Sequence, residues 1–248
     1  MTKFINRLDN NTIAYNQLTG QKDGIVFLSG FNSDMQGKKA LYLEKWAEEN
    51  NHSFLRFDYS GHGQSSGSID KTCFSDWYQD AEYLINKLTK DKQILVGSSM
   101  GAWIMLMLAK RIPQKISAII GLAPAPDFPK LLIWDEMTGN EKRKLVKNRK
   151  TSIKYEDGSK NDFSYKLIKD SFKNLTLSKS IPFNGPVYLY HGMTDDAVPY
   201  DLSIKIINTF KSSKDIKLLL EKDAGHRLSE AHQLANIKKI IEEIVMKI

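Results

Sequence analysis

The stretch from Ile94 to Ile112 limits what this chain can become more than any other. Ile94-Leu95-Val96 is a short apolar run of the kind that forms a buried strand. Met100 to Ile112 (MGAWIMLMLAKRI) is apolar almost all round, so it reads as a helix covered on every side, ended by Pro113. Only Gly97-Ser98-Ser99 separates the strand from the helix. A buried strand turning sharply into a buried helix needs further layers on both sides, and 248 residues are enough to supply them in a self-contained core.

The rest of the chain repeats the same alternation. Eight candidate strands can be counted, and the first two, Phe4 to Leu8 and Thr12 to Leu18, flank the turn-forming Asp9-Asn10-Asn11 as an antiparallel hairpin. The other six are expected to be buried: Ile25 to Ser29, Phe54 to Phe57, Ile94 to Gly97, Ile116 to Leu122, Val187 to Tyr190 and Ile216 to Leu220. Phe74, Trp77, Tyr78, Ala81, Leu84, Ile85 and Leu88 keep one helical stripe, as do Leu234, Ile237, Ile241, Ile244, Val245 and Ile248. The pattern predicts an α/β sheet, mostly parallel, with helices on both faces. Residues 124–186 break the alternation and read as an insertion, so the core is formed by residues 1–123 together with residues 187–248.

Gly97-Ser98-Ser99-Met100-Gly101 matches Gly-x-Ser-x-Gly in the setting that gives the pattern its meaning. At background frequencies of about 7% for Gly and Ser, a chain this long would carry the bare pattern by chance roughly 0.1 times. The turn strains the serine backbone, and the residues two before and two after it must be small. Those neighbours are Gly97 and Gly101 for Ser99, but Val96 and Met100 for Ser98, so Ser99 is the candidate nucleophile. A helix-capping role would explain the helix start but not both glycines. At the helix N-terminus the Met100 N–H can hold an oxyanion, and a second donor is expected after the third strand, where Ser29-Gly30-Phe31-Asn32-Ser33 makes Phe31 N–H the candidate.

A serine hydroxyl needs a base, and imidazole suits the task because its ordinary pKa lies near 6.5. Among five histidines His226 is the candidate, because Asp223-Ala224-Gly225-His226 follows the last strand and so shares the carboxyl edge of the sheet with Ser99. His52 is expected at the opposite edge and His232 on the solvent face of the last helix. His62 and His191, each set among tight-turn residues, read as structural. The acid that orients the imidazole is Asp195 or Asp196, in the loop after the seventh strand, with Asp195 preferred. The chain order Ser99, Asp195, His226 is the Ser, Asp/Glu, His order of one architecture and of neither main serine-protease arrangement.

With these residues in place the chain resembles the α/β-hydrolase superfamily over essentially its whole length. The resemblance is carried by Gly97 to Gly101, by Arg56-Phe57-Asp58-Tyr59-Ser60-Gly61-His62-Gly63-Gln64-Ser65, and by His191-Gly192 through Val198-Pro199, where the family's acid falls on Asp195. More narrowly it is similar to the acyl-glucuronide esterase and palmitoyl-protein thioesterase group of α/β-hydrolase-domain proteins, through Lys39-Ala40-Leu41, Arg56 to Gly61, Ile94 to Gly101, His191 to Pro199 and His226-Arg227. It departs from that group at Ala102, where another glycine is usual. The likeness implies an eight-stranded α/β-hydrolase sheet with a small lid at 124–186. It also implies hydrolysis of a carboxylic ester or thioester by Ser99, Asp195 and His226, with Phe31 and Met100 as oxyanion donors and no cofactor or metal. A serine aminopeptidase or a C–C bond hydrolase would use the same triad.

Charge then bears on partners. The chain carries 36 Lys or Arg and 29 Asp or Glu, a net charge of +7. Twelve of the cations and five of the acids lie between Thr138 and Ser180, so that stretch of the insertion carries +7 and the rest of the chain is neutral. A local basic surface without a recognition motif points away from nucleic acid and toward an acyl substrate with an anionic group, a small molecule or an acylated protein. Cys73 is the single cysteine and excludes an internal disulfide, no run reaches the ~18 apolar residues of a membrane span, and the N-terminus lacks a signal-peptide run. A soluble cytoplasmic protein is expected.

Overall fold

The computed structural model describes residues 1–7, 11–155, 158 and 160–248. Its elements in chain order are β1 (Lys3–Asn6), β2 (Thr12–Leu18), β3 (Lys22–Leu28), α1 (Lys38–Glu49), β4 (His52–Phe57), α2 (Phe74–Leu88), β5 (Gln93–Ser98), α3 (Met100–Arg111) and β6 (Ile116–Leu122). There follow α4 (Gly139–Asn148), β7 (Lys150–Lys154), β8 (Lys160–Ser164), α5 (Tyr165–Ser171), β9 (Val187–Gly192), α6 (Asp201–Ile207), β10 (Ile216–Glu221) and α7 (Ala231–Val245). Eight strands form one sheet in the order β1-β2-β4-β3-β5-β6-β9-β10. The pairs β1–β2 and β2–β4 are antiparallel and the rest are parallel.

Alternation along the strands divides the core. On β5, Leu95 joins the cluster under α2 and α3, while Ile94 and Val96 point to the cluster under α1 and α7. Every residue of α3 from Met100 to Ala109 is buried, as a helix apolar on all faces requires. From β3 the chain crosses to β4 on one side and then returns to β5 on the other, so the sheet reverses its winding between β3 and β5. At such a switch point the loops leaving neighbouring strands diverge and open a crevice at the carboxyl edge. The loops after β3 and β5 lie there.

Three expectations are corrected. The last strand, β10, is half-exposed along its length because it forms the sheet edge and is covered on one side only. α7 stops at Val245, which leaves Ile248 off the buried stripe and 44% exposed. The segment between β6 and β9 contains a strand pair, β7 with β8, that its mixed polar sequence did not announce. The first-hairpin turn at Asp9 and Asn10, and the end of the first expected strand at Leu8, lie outside the described residues.

The 124–186 segment is also tied down at its base. The buried Asp127 accepts hydrogen bonds from Thr176 N–H (2.8 Å), Thr176 O–H (2.9 Å) and Leu177 N–H (3.0 Å), so its two ends meet on one carboxylate. Between those ends run a π-helical turn (Pro129–Trp134), α4, the β7–β8 hairpin and α5.

Candidate active site

Ser99 stands between β5 and α3 with φ 54° and ψ −118°, a left-handed backbone that costs an L residue about 1–3 kcal/mol. Its backbone is held there from three directions. Ser99 N–H donates to Leu122 C=O (2.9 Å), and its own C=O accepts from Ala102 (3.0 Å) and Ala125 (3.2 Å). Gly101 has no room for a side chain, because a β-carbon would stand 2.0 Å from Leu28 O. The close approach that selected Ser99 over Ser98 is therefore the crossing of α3 over the end of β3.

The loop after β3 comes up against the serine. A β-carbon at Gly30 would be 3.4 Å from Ser99 Cβ. The N–H groups of Phe31, which follows Gly30, and of Met100, the first residue of α3, have no acceptor among the described residues. This loop is pinned by the Arg56 to Ser65 stretch. Arg56 donates to Met35 C=O (3.0 Å), Asp58 accepts from Met35 N–H (2.6 Å), and His62 Nε2 accepts from Asn32 N–H (3.2 Å). Burial outweighs the Ser60 carbonyl and holds His62 down to about 4, so it is neutral near pH 7 and remains an acceptor.

His226 and Asp195 arrive from the loops after β10 and β9. Ser99 Oγ is 3.0 Å from His226 Nε2, and His226 Nδ1 is 2.7 Å from Asp195 Oδ2. The two loops are stitched to each other, since Thr194 donates to Ala224 C=O from both its N–H (3.0 Å) and its hydroxyl (2.9 Å). Gly192 lets them cross, because a β-carbon there would meet Ala224 O at 2.1 Å. On the far side, Lys39 Nζ donates to the Arg227 carbonyl. Burial and the nearby Arg227 charge pull Lys39 down to about 8.

The neighbouring aspartates differ in direction and burial, and Asp195 is the one that meets His226. The Asp195 side chain is 0% exposed, while Asp196 is exposed. Asp195 Oδ1 accepts from Ala197 N–H (3.0 Å) and Val198 N–H (2.8 Å), and Oδ2 accepts from His226 and from His191 Nε2 (3.0 Å). Burial works against the charge. Hydrogen bonds from His191 and His226, the His226 charge and the Val198 N–H outweigh it and hold the carboxyl down to about 2.

The five sequence candidates, Ser99, Asp195, His226, Phe31 and Met100, are thus adjacent. His191 belongs beside them: read as a turn residue, it is fully buried against the acid, and the signal that could have found it is its place four residues before Asp195. Ser203 of α6, bonded to His191 Nδ1 at 2.7 Å, carried no sequence signal. His52 lies buried at the opposite edge, on Asp23 C=O (2.9 Å), and His232 is exposed beside Glu221. Cys73 is buried at the start of α2, where burial and then Asp170 and Asp76 push its thiol up to about 12. Among the described residues no cluster of three or more His, Cys, Asp or Glu is placed to hold a metal ion.

Aromatic rings join the segment between β6 and β9 to this site. Phe31 stacks on Phe163 of β8 at 5.0 Å and lies 6.0 Å from Phe128. Asn32 also donates to the Asn161 side chain (3.1 Å), so the loop next to Ser99 touches β8 twice.

The chain is similar in sequence and fold to known proteins. The sequence profile of the α/β-hydrolase fold matches residues 25–142. The human palmitoyl-protein thioesterase ABHD10, a mitochondrial protein, is 34% identical over 99% of this chain and 80% of its own length. The structure of mouse α/β-hydrolase domain-containing protein 10 superposes with a TM-score of 0.92 at 30% identity, over 100% of this chain and 99% of its own. A hydrolase from Agrobacterium vitis gives a TM-score of 0.93 at 31% identity, over 99% and 98%. The eight-stranded sheet with its reversal beside β5, the Gly-x-Ser-x-Gly turn and near full-length similarity agree, and the chain belongs to the α/β-hydrolase family.

Proposed function

We propose that the protein hydrolyses carboxylic ester or thioester bonds of acyl substrates through an acyl-enzyme on Ser99. One observation carries this: the unbroken hydrogen-bond line from Ser99 Oγ through His226 to Asp195, set beside two unpaired N–H groups. Asp195 keeps the proton on His226 Nδ1, which leaves Nε2 free to take the Ser99 proton as Oγ attacks the acyl carbonyl. Met100 and Phe31 N–H receive the oxyanion. His226 then hands its proton to the departing alcohol or thiol, and the acyl group stays on Ser99. Water repeats the attack with His226 as base, the acid leaves, and Ser99 recovers its proton.

The similarity to a palmitoyl-protein thioesterase supports an acyl substrate, either a small molecule or an acylated protein. In this proposal residues 124–186 are the lid. Phe128 and Phe163 border the acyl side, and its cations draw in substrates with an anionic group. A reducing, cytoplasmic setting belongs to the same proposal and is supported by the single, buried Cys73.

Ser99→Ala tests the assignment. Turnover of p-nitrophenyl esters and acyl-CoAs and labelling by a fluorophosphonate should both vanish, and survival of either overturns it. For the lid, kcat/KM on an anionic and a neutral ester of the same acyl group should converge as ionic strength rises, and a constant ratio removes the steering role.

A further inference from the structure

We propose that His191 is a positioning residue, which holds the Asp195 carboxylate in the orientation His226 needs while Ser203 keeps the His191 proton on the nitrogen facing the acid. This rests on the proposed triad and adds a member that never touches substrate.

The geometry leaves His191 one arrangement. Its Nε2 faces two acceptors, Asp195 Oδ2 (3.0 Å) and Val198 C=O (3.0 Å), so Nε2 carries the hydrogen. Nδ1 is then an acceptor and receives the Ser203 hydroxyl at 2.7 Å. Ring and hydroxyl are both fully buried, and three partners around a buried ring prevent it from turning. Among the described residues Asp195 accepts four N–H groups, two on each oxygen, and His191 and His226 are the two that share Oδ2. Without His191 the carboxylate could swing toward water. More of its negative charge would also fall on His226, which favours the imidazolium and leaves less of the ring as free base near neutral pH. Among the described residues the charged groups next to this pair include the exposed Asp196 on the acid's own loop, and Arg227 with Lys39 beside His226. α6 faces His191 with the neutral Ser203.

Two substitutions separate orientation from packing. A glutamine amide nitrogen reaches the place of His191 Nε2, and an asparagine amide nitrogen reaches only the place of Nδ1. His191→Asn should lower kcat/KM about tenfold to a hundredfold, the range for losing the partner that orients a functional side chain. It should also move the acid limb of the pH profile to higher pH. His191→Gln should stay close to wild type in both. Equal losses in the two variants with an unmoved acid limb, or a wild-type His191→Asn, would overturn the proposal. Should either variant fail to fold, ¹⁵N spectra of the histidine-labelled wild-type protein decide: His191 is expected as the Nε2–H tautomer, and the Nδ1–H tautomer overturns the proposal. Failure of the triad itself shows elsewhere, as turnover or labelling that survives in Ser99→Ala.

Discussion

Ser99 with His226 and Ser203 with His191 are two hydroxyl–imidazole pairs that end on the same oxygen of Asp195. They differ in which ring nitrogen faces the acid, Nδ1 in His226 and Nε2 in His191, and above all in surroundings. The His226 side chain is 26% exposed and that of His191 is 0% exposed. Ser99 sits in a strained turn beside unpaired N–H groups, while Ser203 lies within the first turn of a regular helix, fully buried. A serine, a histidine and an aspartate in hydrogen-bond contact therefore do not by themselves make a nucleophile. Access for a carbonyl and donors for its developing charge are needed too, and the fold supplies them to only one arm.

The comparison can be broken by experiment. Ser99→Ala should cost about 10⁴- to 10⁶-fold in kcat while leaving thermal unfolding nearly unchanged. A comparable loss from Ser203→Ala would mean that the arms are wrongly distinguished. Asp195→Asn removes the shared carboxylate and should cost about 10⁴-fold, read as kcat on a p-nitrophenyl ester.

The next effect is on stability. The Asp195 carboxyl is held below its ordinary value, so its stabilisation is fully present above about pH 4, the unfolded value, and is lost as pH falls toward about 2. That contribution is on the order of 2 kcal/mol. Urea unfolding should therefore show the stability gap between wild type and Asp195→Asn narrowing between pH 5 and about pH 2.5. A gap independent of pH would remove the ionised, four-fold hydrogen-bonded acid from the account. Smallest is Ser203→Ala, which removes one neutral hydrogen bond of about 1 kcal/mol two steps from the chemistry and should cost kcat less than about tenfold.

Much of the Ser99 arm was legible in the sequence because its signals are local. The two glycines around Ser99 mark a backbone crossing, and the apolar runs on either side show which element enters the turn and which leaves it. The buried arm was not legible. His191 stands beside glycine in a turn-like context, and only the parallel pairing of β9 with β10 brings the acid loop against the base loop. The Arg56 to Ser65 stretch was recognisable as a pattern, but its work, pinning the loop that carries Phe31, depends on contacts to Asn32 and Met35 more than twenty residues away. The β7–β8 hairpin escaped because its strands are short and largely polar, with one large apolar residue each, Ile153 and Phe163.

The sequence by itself determined the strand and helix alternation, the choice of Ser99 over Ser98 as the residue of the tight turn and the confinement of the net charge to residues 138–180, since periodicity, a tight turn and composition are properties of neighbouring residues. Tertiary structure decided which of two adjacent aspartates meets His226, what His191 touches, which strand lies half-exposed at the edge and how the insertion meets the loop beside Ser99. Each of these depends on which distant groups share a buried space, and there a hydrogen bond made or missed is worth more than any local preference.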